Sequence, residues 1–202
     1  MAQTSTTLIA SKSHYANVTG TDISFTATGT EYKISATSTS LAGFNQYDLI
    51  TVTGTTNNNS TFTVKSEASD GLSLIVEEIV TTETSDGSTT TTLDHTGFVS
   101  AKFKGDGYYS QVDGVHTVAY QVLNRGDSTD DFFGTCTMQG TLASTPTEDD
   151  WFDISSTLHT SDQSTTIASY NFTGNFVYVR VKVVTTNVSG NGALITSILL
   201  NS

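Results

Sequence analysis

From Thr21 onward apolar and polar residues alternate with a period of two, and Gly, Asn or Asp interrupts the alternation about every ten residues. Ile23, Phe25 and Ala27 alternate with polar neighbours before Gly29 turns the chain. The run 49–53 ends at Gly54 and the asparagines Asn57, Asn58 and Asn59. Phe62 and Val64 follow, Gly71 turns the chain into 72–77, and a polar loop at Asp86 and Gly87 precedes 89–93. Strand side chains point to opposite faces in turn, so short alternating runs between turn residues specify half-buried strands. Composition closes off the helical alternative. Only 36% of residues are hydrophobic and 14% charged, and Thr, Ser, Asn and Gly dominate the rest. The β-branch of Thr and the local hydrogen bonding of Ser and Asn both disfavour helix. The expected class is all-β.

The second half continues the pattern, with predicted strands at 97–103, 115–123, 134–142, 151–154, 166–172, 176–185 and 194–201. The clearest is 176–184, where Val177, Val179, Val181 and Val183 are expected to face the core and Tyr178, Arg180 and Lys182 to face out. Strands of this number and length predict a jelly-roll-like or other two-sheet sandwich. Trp151, after three acids, is expected to anchor its core. The expected organisation is an N-terminal arm or frayed terminus over 1–16, a small β-barrel or sandwich module over 17–97, and a jelly-roll-like β-sandwich over 98–202. On that plan, deleting 195–202 removes Ile198 and Leu200 and unfolds the sandwich. Deleting 2–11 leaves folding intact and weakens association with a partner.

Net charge narrows the range of partners. The chain carries 20 acids against eight Lys and Arg, a net charge of −12. That is the reverse of a phosphate-binding footprint, so no nucleic-acid partner is expected. No run of about 18 apolar residues occurs, so no membrane span is expected, and residues 1–20 lack a signal-peptide pattern. Cys136 is the only cysteine and forms no intrachain disulfide. In its strand it reads as a small buried residue in a chain made in a reducing cytoplasm.

Residues with catalytic chemistry are present without a catalytic arrangement. His14, His95, His116 and His159 have no metal-ligand spacing and are expected on the surface or in loops. No Gly-x-Ser-x-Gly elbow leads into a helix. Asp127, Asp130 and Asp131, and Glu148, Asp149 and Asp150, form acidic clusters without the alternation of a calcium loop and read as turns. No catalytic residue, cofactor or metal ligand is therefore nominated, and the chain is not expected to be an enzyme. Adjacent aromatics are the remaining candidates. Tyr108 with Tyr109, and Phe132 with Phe133, place neighbours on opposite strand faces, so one of each pair is expected at the surface. With Tyr178 they are candidate interface residues or sugar platforms.

Two longer patterns carry a resemblance. The first runs from Phe44 through Asp48 and Leu49 to Gly54, then through Asn57–Asn59, Thr61-Phe-Thr-Val64, the strand 72–77 and Thr82-Glu83. It is similar to a small β-module of phage virion proteins. The second joins Gly140 and Pro146 to Asp149-Asp-Trp-Phe-Asp-Ile154 and to the stretch 171–180, and it resembles C-terminal sandwich modules of phage structural proteins. The resemblance implies an accessory structural protein of a tailed-bacteriophage virion that decorates or cements the capsid. Its partners would be the major capsid protein or other virion proteins, and its assembly a homo-oligomer, by analogy a homotrimer. The alternative is a carbohydrate- or receptor-binding module of a tail fibre or another tail or neck appendage.

Overall fold

A computed structural model of the chain describes residues 5–12, 17–111, 114–122, 131–161, 166–185 and 195–201. The chain is all-β, with antiparallel sheets. Its strands in order are β1 (Ser5–Ile9), β2 (Val18–Gly20), β3 (Ser24–Ala27), β4 (Tyr32–Ser35), β5 (Asp48–Thr53), β6 (Thr61–Glu67), β7 (Ser73–Val76) and β8 (Thr91–Val99). There follow β9 (Phe103–Lys104), β10 (Val115–Val122), β11 (Gly134–Thr141), β12 (Phe152–Asp153), β13 (His159–Thr160), β14 (Ile167–Thr173), β15 (Tyr178–Thr185) and β16 (Ile195–Asn201). Short 3₁₀ turns at Asp106–Tyr109, Glu148–Asp150 and Ser155–Thr157 are the helical segments among the described residues. Two compact units emerge: Tyr15–Phe98, and Met1–His14 together with Val99–Ser202.

The discontinuous unit is a sandwich. One sheet has the order β1-β16-β10-β14, and the other places β9 on β15, β15 on β11, and both β12 and β13 on the far side of β11. β12 and β13 are two halves of one strand, broken by the 3₁₀ turn Ser155–Thr157. Val118, Tyr120, Ile198 and Leu200 face inward from the first sheet, and Cys136, Met138, Val179 and Val181 are buried on the second. Tyr120 ties the layers together, since its hydroxyl donates to the Thr157 carbonyl at 3.0 Å and its ring stacks on His159. Consecutive strands cross between the sheets except at the hairpin from β11, and the first strand lies beside the last. That winding is a jelly roll.

The continuous unit, Tyr15–Phe98, is one antiparallel path in the order β3-β4-β7-β6-β5-β8, with β2 on the side of β8 opposite β5. A register shift between Val64 and Ser66 bends β6. The first part of β6 therefore pairs with β5 and the later part with β7, and the sheet curls. Inside the curl, Phe25, Ile34, Ile50, Phe62, Leu74 and Leu93 form a continuous apolar core.

Two expectations are corrected here. The segment expected as an arm contains a strand: Thr6 pairs with Leu200 and Thr7 with Leu199, and Leu8 and Ile9 are buried. Lys12 continues the pairing with two backbone hydrogen bonds to Ile195. The cause is the edge problem, because without β1 the apolar strand β16 would have one side unpaired. The two modules are also not consecutive, since Tyr15–Phe98 is inserted between the first two strands of the jelly roll. Its last strand runs through Gly97, where the two modules were expected to meet. At φ 149° Gly97 sits opposite the register shift between Leu49 and Ile50 and carries β8 onward instead of ending it.

Deleting residues 2–11 therefore destabilises the fold. Burial of Leu8 and Ile9 contributes about 1.5–3 kcal/mol each, so the urea midpoint falls and exposed β16 promotes aggregation. Equilibrium unfolding of the truncated chain tests this, and an unchanged midpoint would show that β1 contributes nothing to the sandwich.

Candidate functional site

Three of the five aromatics singled out in the sequence come together on the jelly roll. Antiparallel pairing of β9 with β15 sets Lys104 opposite Tyr178, and Lys102, two residues earlier, shares the face of Lys104. The chain then tightens into the 3₁₀ turn Asp106–Tyr109. Gly105 N–H donates to Val177 O at 3.0 Å, and Gly107 N–H to Phe176 O at 2.8 Å. A Cβ on Gly107 would lie 2.7 Å from Asn175 O, so only glycine permits this approach. Ser110, in the left-handed region at φ 53°, ends the turn.

The turn presents Tyr108 and Tyr109, which are 42% and 56% exposed. Their rings meet edge to face at 5.1 Å, and Tyr108 lies 5.5 Å from Tyr178. Lys104 Nζ sits 4.1 Å over the Tyr108 ring and Lys102 Nζ 4.8 Å over that of Tyr178. A hydrogen bond with Tyr108 raises the Lys104 pKa above its ordinary value, so its charge is permanent near neutrality. The acid of the segment is engaged elsewhere: Asp106 Oδ2 accepts from Gly114 N–H at 2.8 Å and lies 3.2 Å from His116 Nε2. The result is an aromatic and cationic surface on a fixed backbone.

The other pair does not join it. Phe132 is 1% exposed and Phe133 half-buried, and the Phe132 carbonyl accepts from the Ser161 hydroxyl. Arg180 points away from the sandwich core, as its register requires, but it is not at the surface. It is 6% exposed beneath a polar roof. Its guanidinium makes a bidentate pair with Glu148 at 2.8 and 2.6 Å, and Nε donates to Gln139 at 2.8 Å. Trp151 covers it at 4.3 Å. Trp151 is thus the lid of an ion pair and not a core anchor between the sheets, and Glu148 serves this pair.

The histidines are also corrected. His95, His116 and His159 lie on β8, β10 and β13 and are 1%, 4% and 5% exposed, so they are neither surface nor loop residues. His95 lies 3.5 Å from buried Asp48, His116 stacks on Phe172 at 5.0 Å, and His159 meets the Tyr170 hydroxyl at 3.3 Å. Each packs as an aromatic ring with a polar contact, which a count of histidines cannot reveal. His14, Asp127 and Asp130 lie outside the described residues.

A polar cleft of about 200 Å³ in the inserted module holds two carboxylates, Glu83 and Asp86. Both are committed to backbone. Glu83 accepts from Thr56 N–H, Asn57 N–H and Asn58 Nδ2, and Asp86 from Ser88 N–H, Thr89 N–H and the Thr89 hydroxyl. These donors lower both pKa values, the Thr56 and Thr89 amides first. A carboxylate held ionised by such donors is a poor general acid, and its lone pairs are taken. Asn57, Asn58 and Asn59 follow the same logic. None of the three takes positive φ, since Tyr47 and Ser110 are the non-glycine residues with positive φ among those described. Asn58 acts through its side chain, which exchanges hydrogen bonds with Thr81. Among the described residues no cluster of His, Cys, Asp and Glu could hold a metal ion.

Comparison with protein-family models, curated proteins and solved structures finds no match.

Asp22 accepts hydrogen bonds from the amides and hydroxyls of Thr37, Ser38 and Thr39, which lower its pKa, the Thr39 hydroxyl first. Its folded value lies below the unfolded value of about 3.9. Its contribution is therefore complete above about pH 4 and fades as pH falls toward the folded value. Asp22→Asn should lower the thermal midpoint at pH 7, and the gap from wild type should narrow below about pH 4. A gap constant with pH would show that the carboxylate charge is irrelevant. Cys136 is fully buried on β11, and burial pushes its thiol pKa up. A thiol reagent such as Ellman's should leave the native protein unmodified and react stoichiometrically in denaturant.

Proposed function

We propose that the chain is a non-enzymatic structural component of a tailed-bacteriophage particle that decorates or cements the capsid. The observation that carries this reading is the outer face of the sheet β1-β16-β10-β14. None of these strands contains Asp, Glu, Lys or Arg, in a chain whose net charge is −12. Thr7, Thr117, Gln121, Ser169 and Asn171 line that face. Hydroxyls and amides both donate and accept, and burying them strands no charge. β14, at the sheet's edge, has no lysine or proline to block pairing. Such a surface suits docking on a capsid subunit or another copy. Jelly rolls occur in capsid proteins and in lectins, which is fold-level analogy only. The location follows as the virion, with homo-oligomeric assembly, by analogy a trimer.

Purified protein should co-sediment with particles lacking it, and Ser169→Glu with Asn171→Glu should abolish this without lowering the melting temperature. A wild-type chain that stays monomeric by light scattering and never sediments with particles would overturn the reading.

The Tyr108–Tyr109–Tyr178 cluster favours a second reading, a receptor- or carbohydrate-binding module of a tail appendage. Host-cell binding lost on Tyr109→Ala, with no affinity for capsids, would replace the first reading by the second.

A further inference from the structure

We infer that Tyr108, Tyr109 and Tyr178 with Lys102 and Lys104 form a binding site for an acidic saccharide, specifically a chain of carboxylated sugars. The inference rests on the carbohydrate-binding reading and names its ligand class. It starts from an imbalance in the charge distribution. A chain with 20 acids and eight Lys and Arg repels polyanions over most of its surface. Two of those eight cations, Lys102 just before β9 and Lys104 within it, nevertheless gather over the rings of Tyr178 and Tyr108. Among the described residues, no carboxylate lies within salt-bridge distance of either lysine. Asp106, the acid nearest in sequence, is turned onto Gly114 and His116.

The aromatic rings supply the other half of the site. Tyr109 is the most exposed of the three, and its ring can take the C–H face of a sugar. Lys104 Nζ lies 5.7 Å from the centre of that ring, close enough to meet a carboxylate carried by a sugar stacked there. Lys102, over Tyr178, offers a second ammonium to the next residue of the chain. A neutral sugar would find the stacking surface but bring no counter-charge to either ammonium group. The close contacts of Gly105 and Gly107 with Phe176 and Asn175 fix the rings before any ligand arrives, which limits the ordering cost of binding.

Isothermal titration of the full chain tests this, with oligogalacturonate as the acidic probe and a neutral galactose oligomer of equal length as the control. The acidic oligomer should bind, more weakly as salt rises from 20 to about 150 mM, and the neutral one about tenfold more weakly or not at all. Lys102→Gln with Lys104→Gln should cost about tenfold toward the acidic oligomer only. Tyr109→Ala should cost at least as much, and circular dichroism should show both variants folded, since the substituted side chains are at the surface. Failure of the wild type to bind the acidic oligomer at low salt would overturn the inference. So would undiminished binding by the lysine variant, or equal affinity for the two oligomers. Binding of the neutral oligomer that only Tyr109→Ala abolishes would overturn the acidic ligand and leave the carbohydrate-binding reading standing.

Discussion

The antiparallel pairing of Ser5–Ile9 with Ile195–Asn201 brings together strands from opposite ends of the chain, and the architecture depends on that ladder. β16 is interior only because β1 lies on one side of it and β10 on the other. The jelly-roll winding exists only because the first strand is in the same sheet as the last. The status of residues 15–98 follows as well. With β1 in place they are an insertion held at both ends, and without it they would be an appendage attached at one. A five-residue strand with two buried apolar side chains thereby decides the topology of the whole chain.

The acids show a second economy. With few cations to pair with, the protein stabilises several carboxylates with backbone amides and hydroxyls in its own turns. Asp22 gathers the loop 37–39, Glu83 the loop 56–58, Asp86 the loop 88–89, and Asp150 caps its turn with Thr147. Abundant Ser and Thr supply the donors, so the composition that disfavours helix also accommodates the negative charge. Arg180 works differently, with Glu148, Gln139 and Trp151 closing round a guanidinium that β15 turns away from the core.

Much of the fold was legible wherever alternation was strong. The strands predicted at 115–123, 134–142 and 176–185 differ from β10, β11 and β15 by two residues or fewer at each end, because the core imposes period two on their sequences. β1 was not legible. Ser5, Thr6 and Thr7 give it no alternation, and its place is set by a partner about 190 residues away. Insertion is likewise a property of pairing over distance, which no local window contains. At the candidate site, adjacency in a strand pointed to one exposed tyrosine, whereas the 3₁₀ turn brings both Tyr108 and Tyr109 to the surface. The lysines beside them were not legible, because only the β9–β15 register brings residues 102 and 104 to residue 178. The buried histidines were missed because inventory records their chemistry and not their packing.

The register of that terminal ladder also has a mechanical side. Ser5 lies opposite Asn201, so a pull on these two residues acts at one end of the β1–β16 pair and peels it one hydrogen bond at a time. Tension passes from one strand directly into the other, and residues 15–98 carry none until the last of those bonds opens. The inserted module is then spared mechanical load for as long as β1 holds, and the ladder acts as a weak link that yields before that module is stretched.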